Sequence, residues 1–162
     1  MGEGKVVGAS IPRVDAVEKV TGKALYGTDL KLPGMLYGKV LRSPRPHARI
    51  LNVDTRRAER LPGVKAVAVG KDLPVRYGSA LRDQPPFCFD KARYIGDPVA
   101  GVAAVDEETA EEALNLIRVD YQDLPPLFDP LEAMDPGSPL IHEELGAYTH
   151  GPTFCRPSPT AA

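Results

Sequence analysis

The stretch VAGVAAVDEETAEEALNLIRVDYQ, residues 99–122, carries the clearest structural pattern in the chain. Its first seven residues form an apolar run of small side chains that is typical of a buried strand, and Asp106 then stands where a helix N-cap is expected. Apolar residues recur with helical spacing after it, at Ala110, Ala113, Leu114 and Ile117. Residues 118–122 return to a strand pattern. The stretch therefore predicts β–α–β, with one long amphipathic helix at about residues 107–118.

Apolar runs on the N-terminal side of this unit predict further strands, at residues 35–43, 48–53, 64–69 and 93–95. A short helix is expected at about residues 55–61, where Asp54 can cap its start and Pro62-Gly63 stops it. Residues 70–92 show turn signals but no periodicity. A loop of that length in a compact domain is usually functional or forms an interface. Together these elements predict an α+β fold with mixed sheets, one long helix and one short helix.

The flanks of the predicted domain differ from it in composition. Residues 1–19 are polar without a sustained period and predict an extended N-terminal arm, so the domain itself is expected at residues 20–124. Five prolines make residues 125–150 a wrapping segment, and residues 151–162 have the composition of a loose tail.

The overall composition excludes several classes of function. The chain has 162 residues, with 20 Lys and Arg against 22 Asp and Glu, so no basic excess indicates a nucleic-acid partner. No apolar stretch approaches the ~18 residues that span a bilayer, so no membrane partner is expected. Cys88 and Cys155 lack a second cysteine or histidine at metal-ligand spacing, which argues against a zinc site or a disulfide framework. A reducing, cytoplasmic location is the simplest interpretation.

The segment RSPRPHARI, residues 42–50, is the strongest candidate for a functional site. It concentrates Arg42, Arg45, His47 and Arg49 around two prolines, which fix φ and end strand pairing. A catalytic histidine needs an orienting partner and a nucleophile, and no Ser-His-Asp motif frames His47. An anion site usually adds a glycine-rich loop or a helix N-terminus. We therefore interpret the four basic residues as a candidate protein interface on a stiff turn between two strands.

Three other motifs have weaker functional interpretations. Gly96-Asp97-Pro98 lacks every phosphate-loop pattern and predicts a turn between strands. Asp90-Lys91-Ala92 resembles the tripeptide around the modified lysine of lipoyl and biotinyl carrier domains, but the match is only three residues long. Cys88 lies between two phenylalanines and is expected to be buried packing rather than a nucleophile. The residues thus predict no catalytic, cofactor-binding or metal-binding site in this chain.

The order of several longer motifs carries a family resemblance. VTGKALY, LPGMLYGKVLRSPRPHARI, LPGV and YIGDPVAGVAA follow one another within residues 10–150. In this order they closely resemble the N-terminal α/β hammerhead domain of the large, molybdenum-binding subunit of the xanthine dehydrogenase/aldehyde oxidase family. Within that family the chain looks most like bacterial multi-subunit members of the 4-hydroxybenzoyl-CoA reductase and carbon monoxide dehydrogenase type.

This resemblance implies an oxidoreductase of which the chain is one part. In the family, a molybdenum–molybdopterin centre hydroxylates or reduces small substrates, and electrons pass through iron–sulfur clusters and FAD on partner subunits or domains. The longer region after the hammerhead holds the cofactor and the catalytic glutamate. The resemblance therefore implies a truncated hammerhead piece with a structural, interface-forming role, which is inactive alone and exposes an apolar surface that favours homo-oligomers.

A second hypothesis assigns the chain to another class of protein. Hammerhead and lipoyl or biotinyl domains are similar in fold, and a fold does not dictate function. A free-standing binding or carrier module would carry a modification on Lys91, or a small-molecule pocket lined by residues 70–92.

Overall fold

The structure is a computed structural model that describes residues 8–78 and 82–143. It divides the chain into two compact units, Met1–Met35 and Leu36–Ala162. The predicted boundaries at residues 19, 124 and 150 stay predictions. The predicted loose tail at 151–162 lies outside the described residues. No described helix is long and apolar enough to cross a membrane.

The first unit contains a short helix, α1 (Ala16–Val20), where the sequence predicted an extended arm. Asp15 and Lys19 form an ion pair at 2.6 Å with i,i+4 spacing, and the hydroxyl of Thr21 donates a hydrogen bond to the carbonyl of Val17 at 2.6 Å. Both interactions join residues one helical turn apart and stabilise the turn locally. The prediction missed them because it relied on apolar periodicity.

The described part of the second unit contains six strands, two α-helices and one 3₁₀ helix (Glu132–Met134). The strands and α-helices follow one another as β1 (Tyr37–Arg42), β2 (Ala48–Asp54), α2 (Arg56–Glu59), β3 (Val64–Val69), β4 (Lys91–Ala92), β5 (Pro98–Ala104), α3 (Glu107–Leu116) and β6 (Arg118–Asp123). The predicted strand at 93–95 is replaced by β4, which ends at residue 92. Its backbone turns away after that point because the N–H of Arg93 donates to the carboxylate of Asp97 at 2.9 Å.

The strands form two three-stranded sheets, a first sheet with the order β1-β5-β3 and a second with the order β4-β2-β6. The α+β class is confirmed, but strand pairing in both sheets is antiparallel where mixed sheets were expected. In the described part of this unit, successive strands alternate between the two sheets. The predicted succession of strand, helix and strand is observed as β5, α3 and β6. The two strands lie in different sheets, which apolar patterns do not reveal.

The long helix α3 was predicted from its cap and its apolar spacing, and both are observed. The carboxylate of Asp106 accepts a hydrogen bond from the N–H of Thr109 at 2.7 Å, and α3 ends at Leu116 because Ile117 has extended backbone. Ala113 and Ile117 pack against the first sheet and α2 in one core whose buried members are Ala58, Ala100, Val102, Ala113 and Ile117.

The short helix α2 is narrower than the predicted 55–61. Thr55 occupies the N-cap position in place of Asp54, and Asp54 instead accepts the N–H of Arg56 at 3.1 Å. Ala58 is its fully buried residue and anchors α2 to the core. The helix thus fixes the path from β2 back to the first sheet.

Candidate interaction site at the sheet junction

Residues 43–47, which we call the junction segment, carry the chain from β1 in the first sheet to β2 in the second. The N–H of Ser43 donates to the carbonyl of Asp97 at 2.9 Å, and the carbonyl of Ser43 accepts the N–H of Gly96 at 2.8 Å. This pair of bonds ties the junction segment to the turn before β5. The segment is the predicted turn between two strands, and the structure shows that these strands lie in different sheets.

The hydroxyl of Ser43 shapes the start of the junction segment. It accepts the N–H of Arg45 at 3.0 Å and also lies 3.1 Å from the carbonyl of Arg45, while only 2% of Ser43 is exposed. Such a serine turn satisfies backbone groups that the prolines on either side of Arg45 leave without ladder partners. Ser43 is therefore a structural residue.

His47 is a brace inside the domain. It is 3% exposed, and its Nδ1 lies 2.7 Å from the carbonyl oxygen of Pro125. A carbonyl only accepts hydrogen bonds, so Nδ1 carries the proton. The carbonyl of His47 accepts the N–H of Leu124 at 2.9 Å. His47 thus holds the start of the proline-rich segment against the junction.

The three arginines of the junction region remain exposed to solvent. Arg42 Nη1 donates to the carbonyl of Gly96 at 2.9 Å, and Arg45 Nη1 lies 3.5 Å from a carboxylate oxygen of Asp123. Arg49 forms no ion pair within residues 8–78 and 82–143. The structure therefore brings Arg42 and Arg45 to the same junction, and their guanidinium groups face solvent rather than the core.

A tight turn at residues 94–97 lies beside the junction segment. The N–H of Asp97 donates to the carbonyl of Tyr94 at 3.2 Å, and Gly96 has φ +91°, the left-handed value that glycine adopts without strain. The turn leaves Tyr94 56% and Ile95 64% exposed. Sequence reasoning identified the turn but missed these two side chains, although an apolar pair just before Gly-Asp could have indicated them.

The carboxylate of Asp97 fixes this turn from inside. Asp97 is 5% exposed and accepts the N–H of Arg93 at 2.9 Å. Burial raises the pKa of the Cys88 thiol far above its usual range, and the nearby Asp97 carboxylate raises it further. Cys88 therefore stays protonated, and its predicted role as buried packing is confirmed by its 2% exposure.

Two cationic side chains beneath the turn are engaged within the domain. Arg93 is 8% exposed, and its guanidinium contacts both carboxylate oxygens of Asp90 at 3.2 and 3.1 Å. Lys91 is 5% exposed and pairs with Glu143 at 2.5 Å. A carrier lysine must reach its modifying enzyme, so the buried Lys91 contradicts the suggested carrier site.

A cleft of about 240 Å³ lies on the other side of the turn, lined by Asp83, Gln84, Pro85, Arg93, Tyr94, Asp97 and His142. Three of these residues come from the predicted irregular loop. Over the part of the chain that the structure describes, no three His, Cys, Asp or Glu side chains come together as a metal site. The donor set present here therefore does not fit a metal centre, and we assign no step of metal chemistry to it.

Comparison with known proteins places this architecture in a family. The family model described as "Aldehyde oxidase and xanthine dehydrogenase, a/b hammerhead domain" matches residues 21–125. A probable xanthine dehydrogenase chain of Bacillus subtilis is 50% identical over 82% of this chain and 18% of its own length. The carbon monoxide dehydrogenase large chain of Afipia carboxidovorans is 40% identical over 86% of this chain and 18% of its own length.

Solved structures agree with the sequence relatives. The crystal structure of a Cu,Mo-CO dehydrogenase superposes with a TM-score of 0.80 at 39% identity, over 85% of this chain and 18% of that one. The chain therefore spans less than a fifth of the length of these relatives. The residues that the family model matches include both sheets and the junction segment. The chain belongs to the aldehyde oxidase and xanthine dehydrogenase family, as its α/β hammerhead domain.

Proposed function

We propose that this chain is the structural hammerhead of a molybdenum hydroxylase large subunit and that it is inactive alone. Its partner is the molybdopterin-binding remainder of such a subunit, which works with iron–sulfur and FAD subunits. The chain itself supplies packing surfaces and holds none of these cofactors. Catalysis, by hydroxylation or reduction of a small substrate, belongs to the remainder.

The observation that carries this proposal is the superposition on the Cu,Mo-CO dehydrogenase, which covers 85% of this chain but 18% of that one. A domain that reproduces one part of a larger enzyme, with a TM-score of 0.80, has the shape to pack as that part does. The internal bonding of Arg93, Lys91 and His47 supports the same interpretation, since these groups brace the domain.

Exposed apolar side chains on the second unit supply the surface that such packing needs. Large hydrophobic residues there are 40% exposed or more, at Leu36, Tyr37, Val40, Leu51, Leu73, Val75, Tyr77, Tyr94, Ile95, Val105, Phe128, Leu131, Met134 and Leu140. Where such side chains form a contiguous patch, they mark a contact with another protein surface. In the absence of the remainder, we expect the same surface to favour self-association.

The alternative, a free-standing binding module, has less support. The cleft beside the turn, at about 240 Å³, is smaller than most small-molecule pockets, and two of its polar groups, Arg93 and Asp97, are bonded to the domain itself. A ligand would have to replace those bonds, which costs affinity. The cleft therefore offers few polar groups that could recognise a ligand, and the binding-module hypothesis has less support.

A domain exchange tests the proposal. The full-length Bacillus subtilis relative would carry residues 21–143 of this chain in place of its own matching region. We expect the chimera to retain molybdenum at the level of the unaltered relative, because the exchanged domain offers the same packing surface. Molybdenum content per subunit, measured by mass spectrometry after size-exclusion chromatography, is the readout.

Two controls make the result decisive. The 162-residue chain, produced alone under the same conditions, should contain no molybdenum and show no turnover. A chimera that folds but lacks molybdenum, while the unaltered relative retains it, would contradict the proposed function. Turnover by the chain alone would contradict it as well.

A further inference from the structure

We propose that the 94–97 turn, with Arg42 and Arg45, is the docking point for the molybdopterin-binding remainder of the large subunit. The surface fits an apolar pocket bordered by carboxylates. This inference rests on the proposed function and adds to it the place and the chemistry of the contact.

The turn is held rigidly before any partner arrives. Its own hydrogen bond, from the N–H of Asp97 to Tyr94, is 3.2 Å long, and Ser43 adds two bonds at 2.9 and 2.8 Å. Arg42 Nη1 reaches the carbonyl of Gly96 at 2.9 Å from the adjoining strand. Because these bonds already fix the backbone, docking costs little conformational entropy.

The side chains that the turn presents are of the type that anchors protein contacts. Ile95 is 64% exposed and Tyr94 is 56% exposed, although neighbouring Arg93 and Asp97 are buried. Tyrosine and arginine are enriched at the centres of interfaces, where an apolar anchor fills a pocket. The buried bonds of the fold thus leave Ile95 and more than half of Tyr94 exposed at the turn.

The basic residues beside the turn indicate which charges border the pocket of the partner. Arg42 lies directly against the turn, and Arg45 lies on the junction segment that Ser43 bonds to it. The only carboxylate near Arg45 among the described residues is Asp123, at the long distance of 3.5 Å. Both guanidinium groups can therefore bind a carboxylate of a partner, with bidentate geometry.

The path of the chain favours the remainder of the same subunit as the occupant. His142 lines the cleft together with Tyr94, and Glu143 pairs with Lys91 at 2.5 Å, so the described chain returns to the base of the turn. In the family, the molybdopterin-binding region follows the hammerhead. A region tethered here meets the turn at high effective concentration.

Proteolysis of the chimera tests this docking. When the domain undocks, a protease reaches the connection to the remainder, and the cleavage rate follows the undocked population. We expect Ile95→Asp to speed cleavage at least about tenfold, as loss of a central anchor does. Ala66→Asp is the matched control, since Ala66 is also exposed, lies on β3 and is not one of the large apolar side chains of the proposed packing surface. Its cleavage rate should stay close to that of the parent chimera.

Two charge-reversal variants test the basic border of the docking point in the same proteolysis assay. Arg45→Glu should speed cleavage, whereas Arg57→Glu on α2, also exposed, should not. Denaturation of the 162-residue chain carrying each substitution checks that the domain itself stays folded.

The outcomes separate the two proposals. If the chimera retains molybdenum but Ile95→Asp cleaves no faster than Ala66→Asp, the docking point is wrong and the proposed function stands. If both variants accelerate cleavage equally, the docking point is wrong as well. If the parent chimera folds without molybdenum, the proposed function fails and the docking point fails with it.

Discussion

Two connections carry the chain from the first sheet to the second, and they are stabilised in different ways. The chain passes from β1 to β2 through the five residues of the junction segment, and from β5 to β6 through the ten-residue helix α3. Helix α3 carries its own stabilising pattern, with a cap at Asp106 and an apolar stripe. The junction segment depends on partners far away in sequence, namely Gly96, Asp97, Leu124 and Pro125.

This difference separates local from long-range determinants of the fold. A substitution in α3 removes a local interaction that the rest of the core partly compensates. A substitution in the junction segment removes a bond between elements that are far apart in sequence. We therefore expect the junction segment to be the more sensitive crossing.

The largest effect is expected from His47→Ala. It removes a buried ring and leaves the carbonyl of Pro125 without its 2.7 Å partner. A cavity together with a lost buried hydrogen bond costs about 2–4 kcal/mol of the free energy of unfolding. Urea denaturation of the 162-residue chain, followed by far-ultraviolet circular dichroism, measures it.

Two control variants show whether the loss in His47→Ala comes from the junction segment. His47→Asn keeps an N–H donor near the position of Nδ1 and should recover part of the loss. Arg49→Ala, on an exposed residue of the adjoining strand, should stay within about 0.5 kcal/mol of the original chain. Equal effects of His47→Ala and Arg49→Ala would show that the junction segment does not brace the sheets.

The same contrast explains how much of the fold the sequence could predict. Helix α3 was predictable because capping and i, i+3, i+4 spacing are local signals, and the strands β1, β2, β3, β5 and β6 were found from apolar runs. Their pairing was not predictable, because successive strands usually pair and here they alternate between sheets. That alternation is set by contacts such as Ser43 with Asp97, which no short window contains.

The candidate site follows the same division. The arginines at 42, 45 and 49 were identified as an interface from composition, and this stays a prediction. The burial of His47 could not be foreseen, since its partner Pro125 lies 78 positions further along the chain. Tyr94 and Ile95 were missed because an isolated apolar pair before a turn resembles the end of a strand.

A smaller loss of stability is expected from a substitution at Gly101 in the first sheet. There the loop before β4, which is a third connection between the sheets, contacts β5. A Cβ added at Gly101 in β5 would lie 2.6 Å from Cζ of Phe87, while one added at Gly38 in β1 would meet only the carbonyl of Val102 at 4.0 Å. Gly101→Ala should therefore cost about 1–3 kcal/mol through overpacking. Gly38→Ala should be neutral or slightly stabilising, because it restricts the unfolded chain.

Denaturation midpoints of the two glycine variants measure the difference. Gly101→Ala together with Phe87→Leu should recover much of the loss, since the smaller side chain makes room for the added methyl group. If Gly38→Ala is as destabilising as Gly101→Ala, the contact of Phe87 with β5 is not the cause. The loop would then cross the sheet elsewhere.

The smallest effect is expected at the cap of α3. The N–H of Thr109 donates to Asp106 and, with the Thr109 hydroxyl, holds the pKa of that carboxyl below its usual 3.8. The stability that the ionised carboxylate adds is therefore complete above pH 3.8 and is lost as the pH falls through the lowered folded-state value. Asp106→Asn keeps a capping oxygen without a charge, so the stability that this variant loses relative to the original chain should shrink as acid is added.

Asp106→Ala is the control, because it removes the cap at every pH. Urea midpoints measured from neutral pH downward distinguish the two variants. A deficit of Asp106→Asn that grows with acid would contradict this account, because the cap would then not depend on the carboxylate charge.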